Sequence, residues 1–106
     1  MRQITIESVE AFVNDFQLSK QNMTINIGTP LDTQVMKLHG NEIARIEGNL
    51  LTITDAGWQT NTTKERLNGI LDYYGLWFIK QEAWTWYHYD GTNKLQFEGE
   101  QIFKIK

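Results

Sequence analysis

At 106 residues, with no cysteine and a formal net charge of −3, the chain is long enough to bury one core without covalent staples. The lack of Cys excludes disulfides, thiolate chemistry and Cys-ligated metal sites together. A charge this mild opposes nonspecific binding to nucleic acid and is too small for a chain that imitates DNA by charge alone, and no apolar run approaches the ~20 residues that span a bilayer.

The opening MRQITIESVEAF carries acidic residues where a signal peptide has its apolar stretch. The expectation is therefore one domain over residues 1–106, inside the cell and without a membrane partner. Arg2 to Ile6 alternates polar and apolar residues as a short strand does. Ser8 then reads as an N-cap. Val9, Phe12, Val13 and Phe16 repeat at helical spacing and predict an amphipathic helix from Val9 to Leu18. Met23 to Ile27 alternates strictly, which predicts a strand stopped by Gly28-Thr29-Pro30.

From Gln34 to Thr54 the pairs Gly40-Asn41 and Gly48-Asn49 punctuate a strand meander as two-residue turns. With both pairs at the turn centres, Val35 lies across from Ile46, Ile46 from Leu51, and Ala44 from Ile53. Val35, Ala44, Ile46, Leu51 and Ile53 then form the core face. Met36, Leu38, Ile43 and Leu50 fall on the other face beside Arg45, Thr52 and Thr54.

Residues 56–75, AGWQTNTTKERLNGILDYYG, contain the best-defined helix. Thr62-Thr63-Lys64-Glu65 fits a capping box and places the start near Thr62. Leu67, Ile70, Leu71 and Tyr74 make the apolar stripe, with Lys64, Glu65, Asn68 and Asp72 opposite. Gly75 is the left-handed stop. The same N-terminal turn offers free N–H groups and the hydroxyls of Thr60, Thr62 and Thr63, with Lys64 and Arg66 near, so it is also a candidate anion site.

Beyond it, Leu76–Ile79 and Ala83–Tyr89 read as strands, followed by Lys94–Phe97 and Ile102–Ile105 between turns at Asp90–Asn93 and Glu98–Glu100. Two amphipathic helices laid on antiparallel sheet of short strands make an α+β fold. Trp77, Phe78, Trp84, Trp86, Tyr87 and Tyr89 concentrate rings here. Strand alternation puts Trp84, Trp86 and His88 on one face and Ala83, Thr85, Tyr87 and Tyr89 on the other. Core packing accounts for such rings, and so does a platform for a protein or for stacked bases. Lys80, Lys94, Lys104 and Lys106 could flank a platform for nucleic acid, but Glu82, Asp90, Glu98 and Glu100 lie among them.

His39 and His88 lack neighbours at metal-ligand spacing, so no metal and no cofactor is expected. His39 reads as a hairpin-edge residue opposite Glu42, and His88 as a strand residue. No nucleophile, phosphate-loop or dinucleotide motif is present, and the thirteen carboxylates are scattered. The residues point away from an enzyme.

The segments Leu38-His39-Gly40-Asn41-Glu42-Ile43-Ala44 and Gly57-Trp58-Gln59-Thr60-Asn61-Thr62-Thr63-Lys64-Glu65-Arg66-Leu67-Asn68 resemble a family of small proteins, of uncharacterised activity, from tailed bacteriophages and prophages. Its members look like an LHGN-IA hairpin followed by a GW-T-TT--RLN helix start. The similarity covers roughly residues 35 to 105. It implies a phage origin and the cytoplasm of an infected bacterium, and it makes Trp58, Thr60, Thr62, Thr63, Arg66 and Asn68 the family-like residues.

Three functions follow as expectations. The favoured one is a non-enzymatic phage accessory protein that binds a host protein, for example to block a defence system such as a CRISPR effector. The second is a nucleic-acid binder using Lys64, Arg66 and the aromatic strand. The third is a nucleotide or small-ligand binder with its phosphate at the helix N-terminus. The candidate binding residues are Trp58, Thr60, Thr62, Thr63, Lys64, Arg66, Asn68, Trp84 and Trp86, and no catalytic residue is assigned. Oligomeric state is left open.

Overall fold

The structure, a computed structural model, describes residues 2–27 and 33–105. The predicted stop at Gly28-Thr29-Pro30 lies outside the described residues. The first element is a helix, α1 (Gln3–Val13), where the alternation of Arg2 to Ile6 predicted a strand. Ser8 is therefore no N-cap: it sits mid-helix and buried, and the helix ends five residues before the predicted Leu18. The physical reason is a second periodicity in the same residues. Ile4, Ser8 and Phe12, and Thr5 and Val9, recur every fourth position and bury one face against α2 and the neighbouring strands. That burial outweighs the modest helix propensity of Ile and Thr. Phe16, predicted in the stripe, lies beyond the helix end and is 65% exposed.

The chain continues through β1 (Leu18–Lys20), β2 (Met23–Ile27), β3 (Thr33–Leu38), β4 (Asn41–Glu47) and β5 (Leu50–Thr54), which pair antiparallel in that order. The final strand, β9 (Glu100–Lys104), returns to pair antiparallel with β5, giving a six-stranded sheet. Ala44 across from Ile53 and Ile46 across from Leu51 are as predicted.

The β3–β4 register is not. The turn is His39-Gly40 and the pairing shifts by a bulge between Met36 and Lys37, so Val35 faces Arg45 while Met36 faces Ala44. With side chains alternating every residue, that slip exchanges the faces of β3. Met36 and Leu38 join Ala44, Ile46, Leu51 and Ile53 in the core cluster, and Val35, though buried as expected, lies outside that cluster. Ile43 at the bulge is buried as well. His39 is a turn residue with φ 53°, and Lys37, not His39, faces Glu42.

α2 (Asn61–Tyr74) begins one turn's fraction earlier than the capping box predicted. Thr60 is the N-cap, its hydroxyl accepting from the Thr63 N–H at 3.1 Å. Glu65 is thereby released from capping and turns to α1. At the other end Gly75 adopts φ 68°, and its N–H and that of Leu76 donate to the carbonyls of Asp72 and Leu71. This satisfies carbonyls the helix leaves unpaired. Leu67, Ile70 and Leu71 are fully buried as the stripe predicted, each contributing about 1.5–3 kcal/mol of apolar burial.

A second, three-stranded sheet follows: β6 (Phe78–Glu82), β7 (Thr85–Tyr89) and β8 (Lys94–Gln96). The predicted strands are shifted. Ala83 and Trp84, expected within a strand, form the β6–β7 turn with φ 49° and 68°. Trp84 therefore leaves the strand face assigned to it, whereas Trp86 and His88 do point inward, with Ile79 opposite His88. Asn68 of α2 binds the edge of β6 as a strand would, its Nδ2 donating to the Ile79 carbonyl at 2.9 Å and its Oδ1 accepting from the Ile79 N–H at 2.7 Å. One buried cluster joins α1, α2, both sheets and Phe97.

Candidate functional site

The β3–β4 hairpin ends beside the loop that enters α2, and the hollow between them is a cavity of about 410 Å³. Leu38, His39, Asn41 and Ile43 line one wall, and Asp55, Ala56, Trp58, Thr60, Thr62 and Thr63 the other. The two segments that carry the phage-family resemblance, separate in sequence, thus share one recess.

The entry loop is shaped by Asp55. Its carboxylate accepts from the Gly57 N–H at 2.8 Å and from Gln59 Nε2 at 3.1 Å, and its carbonyl accepts from the Trp58 N–H at 2.9 Å. These bonds hold Ala56 at φ 55° and present Trp58 with 67% of its surface open. Thr60 and Thr63 share a hydroxyl contact at 3.0 Å, so capping engages both, and Thr63 is buried. The recess accordingly offers an aromatic wall, an apolar floor and hydroxyls at a helix start, an arrangement suited to binding.

The other residues singled out from the sequence lie elsewhere. Lys64 borders a second recess with Gln81, Ala83 and Trp84. Arg66 is 1% exposed. Its Nη1 donates to Thr5 Oγ1 at 2.5 Å and to Glu65 Oε1 at 2.6 Å, and its Nε approaches the Met23 sulfur at 3.4 Å. Arg2 adds a contact to Glu65 at 3.0 Å. Burial pushes the Glu65 carboxyl up, but hydrogen bonds from Thr5 and Arg2 and the charges of Arg2 and Arg66 outweigh it and leave Glu65 below its ordinary value. Burial, helped by the Arg2 charge, pulls Arg66 below its own. Asn68 holds β6, and Trp86 is 1% exposed against Phe97.

On the solvent face of the second sheet, Phe78 stacks on Tyr89 at 5.2 Å and Lys94 Nζ lies 4.8 Å from the Tyr87 ring centre. Lys94 also contacts Glu82 at 3.0 Å, and the Tyr89 hydroxyl donates to the same carboxylate. Those two hydrogen bonds lower Glu82, and the reciprocal bonds raise Tyr89 and Lys94. Trp77, 54% exposed, borders one end of this face, and Trp84, 89% exposed, stands at the turn at the other.

A model of the Kyanoviridae Gp96 protein family matches residues 1–104. The chain belongs to that family. Its origin is therefore a bacteriophage, and the match takes in α1, which the two motif segments do not reach. No curated protein and no solved structure matches the chain. Among the described residues of this Gp96 family member no helix is long and apolar enough to cross a membrane. Leu38, His39, Asn41, Ile43, Asp55 and Ala56 line the recess without having been among the candidate binding residues. The signal for His39 and Asp55 was present in the turn chemistry around LHGN and in an Asp two residues before Gly57, a side chain suited to capturing nearby N–H groups.

Proposed function

We propose that this phage protein acts without catalysis, as one domain in the cytoplasm of the infected bacterium, by docking on a host protein, as an inhibitor of a defence effector such as a CRISPR nuclease would. The observation carrying this reading is the exposure of large rings on and at both ends of the second sheet. Trp77, Phe78 and Trp84 are 54%, 40% and 89% exposed, although large aromatics are the side chains that gain most from burial and anchor protein interfaces. Trp84 is moreover held at φ 68°, a conformation bulky residues rarely adopt. Affinity capture from host lysate is expected to recover a stoichiometric protein with the natural chain and to lose it with Trp84→Ala. Recovery of no host protein, or capture indifferent to Trp77→Ala and Trp84→Ala, would refute the reading.

Two other readings have their own observations. The Phe78–Tyr89 stack with Lys94 over Tyr87 favours single-stranded nucleic acid; unchanged mobility in low-salt gel shifts would remove it. The 410 Å³ recess behind Trp58 favours a nucleotide or other small ligand; a flat thermal-shift screen against nucleotides and cyclic nucleotides would argue it away.

A further inference from the structure

Among the described residues no strand pairs with the outer edge of β9, and the chemistry of that edge complements itself. Asp55 N–H donates to the Gly99 carbonyl at 3.0 Å and Ile105 N–H to the Asn49 carbonyl at 2.9 Å, in register with Gln101 opposite Ile53 and Phe103 opposite Leu51. In an antiparallel ladder bonded and non-bonded pairs alternate. The odd-numbered residues therefore turn their backbone groups toward β5, and Glu100, Ile102 and Lys104 turn theirs outward. The side chains of those three share the solvent face, with Ile102 59% exposed.

Exposed edges invite pairing, and proteins usually blunt them. The other edges described are short or already engaged in part. β1 has three residues and its Lys20 is bound to Glu7 of α1 at 2.6 Å. Along the open side of β6, Asn68 takes both backbone groups of Ile79. β8 has three residues, and pairing it with itself about Leu95 would set Lys94 against Gln96 with no charge match. β9 has five, in the order Glu-Gln-Ile-Phe-Lys. Antiparallel pairing of two copies about Ile102 sets each Glu100 across from the second copy's Lys104, places Ile102 against its own copy, and aligns the three outward-facing residues of each strand as bonded pairs.

We propose that β9 is a dimer edge, through which two copies of this chain join their six-stranded sheets about a two-fold axis at Ile102. Such an interface is isologous and closes after two copies. Both terminal pairs are opposite in charge, and the apolar pair is central.

Sedimentation equilibrium of the full chain over a concentration series is expected to show a species of twice the 12.4 kDa chain mass. Glu100→Lys and Lys104→Glu each turn two attracting cross-strand pairs into repelling ones. Each should raise the dimer Kd about tenfold, from cross-strand pair energies of a few tenths to one kcal/mol apiece. The combined swap should restore the Kd of the natural chain. Ile102→Pro removes an N–H that faces away from β5, so the chain should become monomeric with its circular dichroism unchanged. A natural chain that stays monomeric throughout, single reversals that leave Kd unchanged, or a double swap as weak as the singles would overturn the proposal. The charge swaps decide the matter if Ile102→Pro does not fold.

Discussion

Arg66→Ala tests whether a charge buried to 1% exposure holds the two helices together. The guanidinium is 1% exposed and joins α2 to α1 through Thr5, beside Glu65. Removing one partner of a fully buried pair costs about 3–5 kcal/mol. That figure must be discounted, because the Glu65 side chain is 30% exposed and keeps Arg2 and Thr5 as partners. Against this, the buried aliphatic stem is also lost, which adds a cavity cost. The two corrections leave an expected destabilisation of about 2–4 kcal/mol, read as a lower urea midpoint at unchanged m. Arg66→Met loses the same hydrogen bonds to Thr5 and Glu65 but keeps the stem beside Met23, so it should cost less than the alanine variant by the cavity contribution. A stability change within about 0.5 kcal/mol for Arg66→Ala, the range of ordinary surface substitutions, would refute the reasoning. It would return Arg66 to the candidate binding residues.

Asn68→Ala should cost about 2 kcal/mol, since it removes two hydrogen bonds and leaves the Ile79 N–H and carbonyl without them; hydrogen exchange at Ile79 should rise with it. A Cβ on Gly91 would fall 2.6 Å from the Trp77 ring at φ +91°. Gly91→Ala is therefore expected to destabilise by about 1–3 kcal/mol, and part of that loss should vanish in a Trp77→Ala background. Glu65 is held below its ordinary 4.5, so its contribution is complete above that pH and is lost as pH falls through the folded value. Urea midpoints measured down the acid limb should decline less steeply for Glu65→Gln than for the natural chain.

What the sequence determined by itself was the set of features that close within a few residues. The α2 stripe of Leu67, Ile70 and Leu71 and its stop at Gly75 are local, as are the β4–β5 hairpin and its pairing of Ala44 with Ile53. So is the crowding of aromatics after Trp77. Tertiary structure decided wherever two local patterns competed. Ile4-Thr5-Ile6 fits a strand and a helix alike, and burial against α2 and the neighbouring strands, with Arg66 and Glu65 reaching Thr5, selects the helix. Thr60 and Thr62 are both capable caps, and Glu65 leaves the capping box because two arginines and a hydroxyl offer it more.

The bulge in the β3–β4 hairpin put Met36 in place of Val35 in the core cluster while leaving Val35 buried, a one-residue change that no turn dipeptide announces. The site followed the same division. The residues of the recess were legible as motifs, but their convergence was not, because it depends on a hairpin and a helix start meeting across the fold. Arg66 and Trp84 exchanged expected surroundings for a physical reason. A long side chain whose charge can be met from another helix was drawn inside, while a tryptophan at a two-residue turn had no strand face on which to be buried.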